Sequence, residues 1–396
     1  MEIISISAAV VSLLVALLVA RLLSNSLVTP SDHGRFLTID GLRGYLAFFV
    51  FMTHSSIWYY YLHTGAWTIP PLQLFVHFGQ GGVALFFMIT GFLFFSKLLD
   101  GRDRKIDWLR LYVSRLLRLT PLYFFSVVLI FLIVWVMTRG RPIEPPSKVL
   151  LDVMTWLGFA IFGEPALNGL EVTHLINAGV TWSLAYEWFF YMALPLIALV
   201  VGLRPPISYL VVSTLLLVAI AMYYPNDSYY WLFGSGMLAA LLARFEQFRK
   251  FATSKWATFL VVALVVYTVI HYSALYSNTK AKVFMTIAFC LVAGGNSIFG
   301  VLKYRVSRAL GEMAYSMYLM HGILLFVAFH FLIGLPAAKE LSPVQYWAVI
   351  VMLTPVLIVV CGMTFRFIEK PAMRRVGPLT EWLRVKKLNL LAGEKI

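Results

Sequence analysis

The side chains able to move a proton or hold an anion are few, and most of them fall inside or at the ends of long apolar stretches. Arg43 and His54 are separated by 11 residues. At 100° per residue they return to within about 20° of one helical face, about 16 Å apart along the axis. One helix would then present a cation at its rim and an imidazole near its middle. An imidazole titrates near neutrality and can take a proton from a hydroxyl. The ten residues before it, 44–53, are apolar, aromatic or small, so nothing in its own helix explains His54. The plainer alternative is a buried histidine bonded to a neighbouring helix.

Arg115 and Arg118 are three apart in SRLLRLTP, residues 114–121, and share a helical face. Two forked guanidiniums at one rim suit a phosphate, although arginines also mark the side of a membrane on which a loop lies. Asp40, in IDGLRG (39–44), reads as a helix N-cap or a partner for an arginine. Glu187 closes TWSLAYE (181–187), about two turns into an apolar stretch, where it could orient an imidazole, bind a hydroxyl or simply be paired. His321 ends YSMYLMH (315–321) with Tyr318 on its face, a pattern for a proton relay or for a bond between helices. Thr90 stands in a glycine-bearing run, GQGGVALFFMITGF (79–92), that allows close backbone approach and is not a phosphate loop. Metal ligation is not expected: the histidines are scattered and no His-x-x-x-His pair exists.

An ionisable group at membrane depth costs a few kcal/mol on insertion scales, roughly 2.5–3.5 kcal/mol at a helix centre, and the composition puts these groups in a membrane. Of 396 residues 61% are apolar and 13% charged, with net charge +14 and mean hydropathy +0.83. That leaves too little polar surface to coat a water-soluble globule. The two cysteines, Cys290 and Cys361, lie in apolar runs and exclude a disulfide framework. Apolar stretches longer than the blocks of about 10 of a membrane β-barrel predict an all-α polytopic protein.

Eleven spans are expected, near 4–23, 45–62, 82–98, 121–138, 182–202, 207–224, 229–243, 256–273, 283–302, 313–334 and 345–366. The stretch 149–162 is short and contains Asp152, so it is read as re-entrant or surface-lying. With this alternation 26 of the Lys and Arg residues fall on one side and 6 on the other. The positive-inside rule then predicts an outer N-terminus and a cytoplasmic C-terminus. The basic excess is thereby assigned to orientation, and no nucleic-acid partner is expected. The first helix lacks a basic leader and a cleavage site, so it reads as an anchor. Residues 382–391 could form an amphipathic helix on anionic lipid.

Taken together, these blocks resemble the acyltransferase-3 family of membrane O-acyltransferases. The resemblance lies in IDGLRG with His54 completing an Arg-x10-His pattern, the 82–92 run, RLLR (115–118) with Thr120 and Pro121, TWSLAYE, LGEMAYSMYLMH (310–321) and FIEKP (367–371). It implies a ten-helix core, Arg43 and His54 as the essential pair, Arg115 and Arg118 on the donor side, and acetyl-CoA as acyl donor. Thr90 stands where the family usually has Ser, which keeps a hydroxyl on the donor side.

The expected organisation is an anchor helix (1–30), a ten-helix acyltransferase domain (37–375) and a short basic tail (376–396). The expected activity is transfer of an acyl group, acetyl by resemblance, from cytoplasmic acyl-CoA to a hydroxyl of an exported glycan or lipid-linked sugar such as lipopolysaccharide O-antigen. In this reading His54 is the general base or transient acyl carrier, and Glu187 and His321 orient it or the acceptor. The expected setting is a bacterial inner membrane, with membrane lipids as further partners. The rival class is a transporter or lipid-linked glycan flippase; it predicts duplicated halves or paired broken helices, and no convincing repeat is found.

Overall fold

The computed structural model describes residues 2–27, 36–102, 105–223 and 227–392. Arg35, Arg104 and Lys395, counted above among the basic residues, lie outside the described residues, as does the end of the 1–30 segment. The described chain is helical, with one isolated bridge between Leu167 and Leu170. The first half runs α1 (Glu2–Leu27), α2 (Leu37–Thr64), α3 (Gln73–Asp100), α4 (Trp108–Met137), α5 (Pro146–Leu157), α6 (Thr173–Ile176), α7 (Trp182–Val200), α8 (Ile207–Tyr223) and α9 (Asp227–Leu242). The second runs α10 (Glu246–Ala252), α11 (Lys255–His271), α12 (Thr279–Ala293), α13 (Arg305–Glu312), α14 (Ala314–Val327), α15 (Leu335–Lys339), α16 (Pro343–Thr364), α17 (Lys370–Arg374) and α18 (Val376–Ala392).

Six helical stretches are long and apolar enough to cross a membrane: most of α1, then α3, α4, α7, Ala314–Leu332 and the run starting at α16. A seventh results if α10 and α11, bent 70° from each other, form one span. This is the architecture of a polytopic membrane protein. Each of the eleven expected stretches falls on a helix, but the boundaries move. α2 begins eight residues earlier than its apolar signal, because Asp40 and Arg43 lie inside the helix; Asp40 sits in the first turn and Phe36 holds the N-cap. α4 likewise takes in both arginines and Pro121. α12 stops at Ala293 rather than near 302: Gly294 and Gly295 follow, with Gly295 at φ +113, and the Asn296 amide fastens the turn to Ala252 O at 2.7 Å. The 149–162 stretch yields α5, which at 12 residues spans only about 18 Å.

α2 is the central element, packed against α3 on one side and α13 and α14 on the other, while α3 also runs along α9 and α1 along α16. Glycine makes two of these crossings possible. A Cβ on Gly311 would lie 1.8 Å from Asp40 O, and one on Gly91 2.2 Å from Phe233 O. Gly311→Ala should therefore cost more than the roughly 1–3 kcal/mol of ordinary overpacking, read as loss of a monodisperse, detergent-stable species. Gly234→Ala on α9, with nothing within 4 Å of the added carbon, serves as the neutral control.

Candidate active site

Six helices converge on a cavity of about 280 Å³, with Met373 the contribution of α17. Those that give several residues present one face at helical spacing. α7 gives Ser183, Glu187 and Tyr191, four apart; α4 gives Arg115, Arg118 and Leu119; α14 gives Tyr315 and Tyr318; α3 gives Val83, Phe86, Phe87, Thr90 and Phe94; α2 gives Arg43. The start of α7 is set by a carboxylate. Glu164, in the long loop, accepts from the Thr181 hydroxyl and from the backbone N–H groups of Thr181 and Trp182, where the helix dipole favours an anion. Burial raises its carboxyl above the usual range against those bonds.

Two of the three cations of this cavity are individually braced. Arg115 lies over the Phe94 ring at 5.0 Å and donates to Ser114 Oγ at 3.2 Å. Arg118 donates to Met373 Sδ at 3.0 Å and faces the Glu369 carboxylate at 3.7 Å. Glu369 is buried and accepts from the Ser316 hydroxyl, which in turn receives the Thr364 hydroxyl at 3.0 Å. It ends a π-helical turn, Phe365–Glu369, inserted between α16 and α17, a distortion common at functional sites. In the sequence FIEKP marks Glu369 only as part of the resemblance; a glutamate beside a lysine and a proline at a helix end gives no sign of burial. Glu187 is brought to the same cavity, where its carboxylate accepts from the Tyr191 hydroxyl. No hydrogen bond among the described residues joins it to either imidazole.

His54 and His321 meet each other instead. His321 Nε2 lies 3.0 Å from His54 Nδ1, across α14 and α2. Each Nδ1 also faces a backbone carbonyl, Val50 O at 3.0 Å from His54 and Met317 O at 2.9 Å from His321. A carbonyl only accepts, so with both rings neutral each Nδ1 carries the proton. His321 Nε2 is then a lone-pair acceptor for the His54 Nδ1–H, which is shared with Val50 O. This bonding leaves Nε2 of His54 unprotonated, the state a general base requires. His321 is fully buried, while His54 is partly accessible.

The two groups are neighbours. Tyr318, at the cavity wall, lies one turn before His321 on the same face, with ring centroids 6.3 Å apart. Its hydroxyl donates to Val180 O at 2.9 Å and lies 2.7 Å from Ser183 Oγ, and Phe86 packs edge-on at 6.2 Å. Arg43, Thr90, Arg115, Arg118 and Glu187 thus share one chamber, and His54 and His321 form a pair just past its wall. Replacing His321 by Leu should free the His54 ring to rotate and switch tautomer. If His54 is the general base of the acyl transfer that the resemblance implies, the expected fall in kcat is about 10–100-fold, the range for lost orienting partners, with the KM for donor unchanged; the check is steady-state transfer kinetics.

The described residues thus form a helical membrane bundle with a chamber lined by three arginines and one glutamate and two bonded imidazoles just past its wall. The family model described as an acyltransferase domain, that of acyltransferase-3, matches residues 36–366. The chain belongs to this family. No curated protein and no solved structure matches it. Among the described residues no group of three or more His, Cys, Asp or Glu is placed to hold a metal.

Proposed function

We propose that the chain is a transmembrane O-acyltransferase that moves an acetyl group from cytoplasmic acetyl-CoA to a hydroxyl of an exported or lipid-linked glycan. The observation that carries this reading is the adjacency of the arginine chamber and the imidazole pair, with Tyr318 between them. The chamber, at about 280 Å³, is below the ~300–1,000 Å³ of typical ligand sites. It suits the slender arm of the donor, with the phosphates at the guanidiniums of Arg43, Arg115 and Arg118. Thr90 lines the path of that arm. The supporting orientation is the eleven-span one with the basic loops in the cytoplasm, in a bacterial inner membrane.

In the reaction, Nε2 of His54 removes the proton of the acceptor hydroxyl as its oxygen attacks the thioester carbonyl. The C–O bond forms, the C–S bond breaks, and the proton passes from His54 to the departing thiolate. His321 holds the ring in the required tautomer throughout. In a two-step course Nε2 of His54 first takes the acyl group as the C–S bond breaks, and the acceptor hydroxyl then displaces it from nitrogen, its proton passing to the released thiolate. The test is in cells. Surface glycan from cells expressing the chain should gain acetyl esters, and glycan from cells expressing His54→Ala, inserted to the same level, should not. Equal ester content in the two overturns the reading.

A further inference from the structure

An aromatic cluster beside His54 is used by neither the arginine chamber nor the imidazole pair. Trp67, in the turn after α2, lies nearly parallel to the His54 ring, 20° between planes and 6.4 Å between centroids. Trp58, one helical turn past His54 on the same face, meets Trp67 edge-on at 5.6 Å, and Tyr61 meets Trp58 at 5.4 Å and Trp67 at 5.6 Å. Tryptophans and tyrosines near helix ends commonly form an interfacial girdle that faces lipid headgroups. This cluster does not. Trp58 is fully buried, backed by Phe326 and Phe329 at 6.0 and 5.5 Å, and Trp67 is partly buried with its plane along the base.

Trp58 carries a second sign. Its indole N–H is buried and has no hydrogen-bond partner among the described residues. An unmet buried donor costs about 1–3 kcal/mol, and most buried donors in folded proteins are satisfied. An open donor on the tryptophan one turn from His54 is what a site built for an oxygen-bearing ligand would hold ready.

We propose that Trp67 and Trp58 form the acceptor subsite: Trp67 carries the apolar face of a sugar ring, and the Trp58 N–H donates to one of its oxygens, so that a ring hydroxyl meets Nε2 of His54. This rests on the acyl-transfer reading and adds the residues that select the acceptor. An aliphatic alcohol of equal size would cover Trp67 but leave the N–H unmet.

The test is binding to the purified full chain by calorimetry, with methyl glycosides of the common hexoses and 6-deoxyhexoses as probes and cyclohexanol as the apolar ring. At least one glycoside should bind the wild type. Trp67→Ala should weaken it by about tenfold or more, Trp67→Phe should stay within a few-fold, and Trp58→Phe, which keeps the packing and removes the N–H, should weaken glycoside alone. Acetyl-CoA affinity should be the same in all three variants, which also reports that they are folded. No glycoside binding to the wild type, wild-type binding by Trp67→Ala, or cyclohexanol binding as tightly as the glycosides would overturn the proposal. His54→Ala separates the two readings: it should still bind the glycoside, and if it also still makes ester, acyl transfer through His54 fails while the subsite stands.

Discussion

Replacing His54 by alanine is expected to lower acyl transfer by about 10²–10⁴-fold, the range for loss of a positioned general base, with acetyl-CoA affinity intact. The reason for the split is spatial. In the proposed reading the donor's phosphates meet the arginine chamber, while His54 lies beyond its wall, held by bonds to Val50 O and His321. Removing the imidazole takes away a lone pair, not a phosphate contact. His54→Gln should fare no better, since an amide cannot accept the proton. Imidazole added to the alanine variant should restore part of the rate if the space left by the ring is reachable, and the partial accessibility of His54 predicts that it is. The measurement is radiolabelled acetyl transfer beside acetyl-CoA binding on the same preparation. Donor affinity and rate collapsing together would mean that His54 belongs to the donor site.

The second large effect is expected at Arg115 and Arg118. Changing both to glutamine should weaken acetyl-CoA by about 100-fold or more, since hydrogen bonds to charged groups contribute about 1.5–3 kcal/mol each. Glycoside binding should not change. Arg118 needs care, because it faces the buried carboxylate of Glu369 at 3.7 Å. Removing one partner of a buried pair costs about 3–5 kcal/mol, so the Arg118 change is best combined with Glu369→Gln, which leaves no orphaned charge. Glu369→Gln alone leaves Arg118 short of its counter-charge but still bonded to Met373 Sδ at the chamber; it should lower stability by part of that cost and raise the KM for acetyl-CoA several-fold with kcat retained. Titration of the purified variants with acetyl-CoA, at low and high salt, gives the answer. An affinity unchanged in the arginine double variant would remove these residues from the donor site.

How much of this was legible in the sequence varies by element. The helices declared themselves through apolar runs. The residues that matter most blurred those runs: α2 has length enough to span at 28 residues, yet it is absent from the six most apolar stretches, and polar groups including Arg43 and His54 lower its apolar signal. Facing residues on one helix could be read from spacing, which is how Arg115 with Arg118 and Tyr318 with His321 were found. Pairings between helices could not. His54 and His321 are 267 positions apart, and no local period encodes their contact. The same limit explains why the sequence left Glu187 open between an imidazole, a hydroxyl and a structural pair, whereas the structure sets its carboxylate against Tyr191 in the arginine-lined chamber. It also explains why Glu369, Trp58 and Trp67 were passed over. Trp58 in particular sits among tyrosines and aliphatic residues, and only the packed structure shows its N–H facing no acceptor.

The wall at Tyr318 has an electrical consequence. In the proposed orientation the chamber opens to the cytoplasm and the indole cluster to the other face, and a continuous wet path past three guanidiniums would pass small anions down the membrane potential. Each elementary charge carried across is worth about 2.3 kcal/mol per 100 mV, so a leak of ions along it would dissipate stored energy. Tyr318, bonded to Val180 O and Ser183 and flanked by Phe86, sets a ring at the chamber wall beside His321. In the proposed reaction what passes that ring is a neutral acyl group, and the bilayer need carry no ion for it.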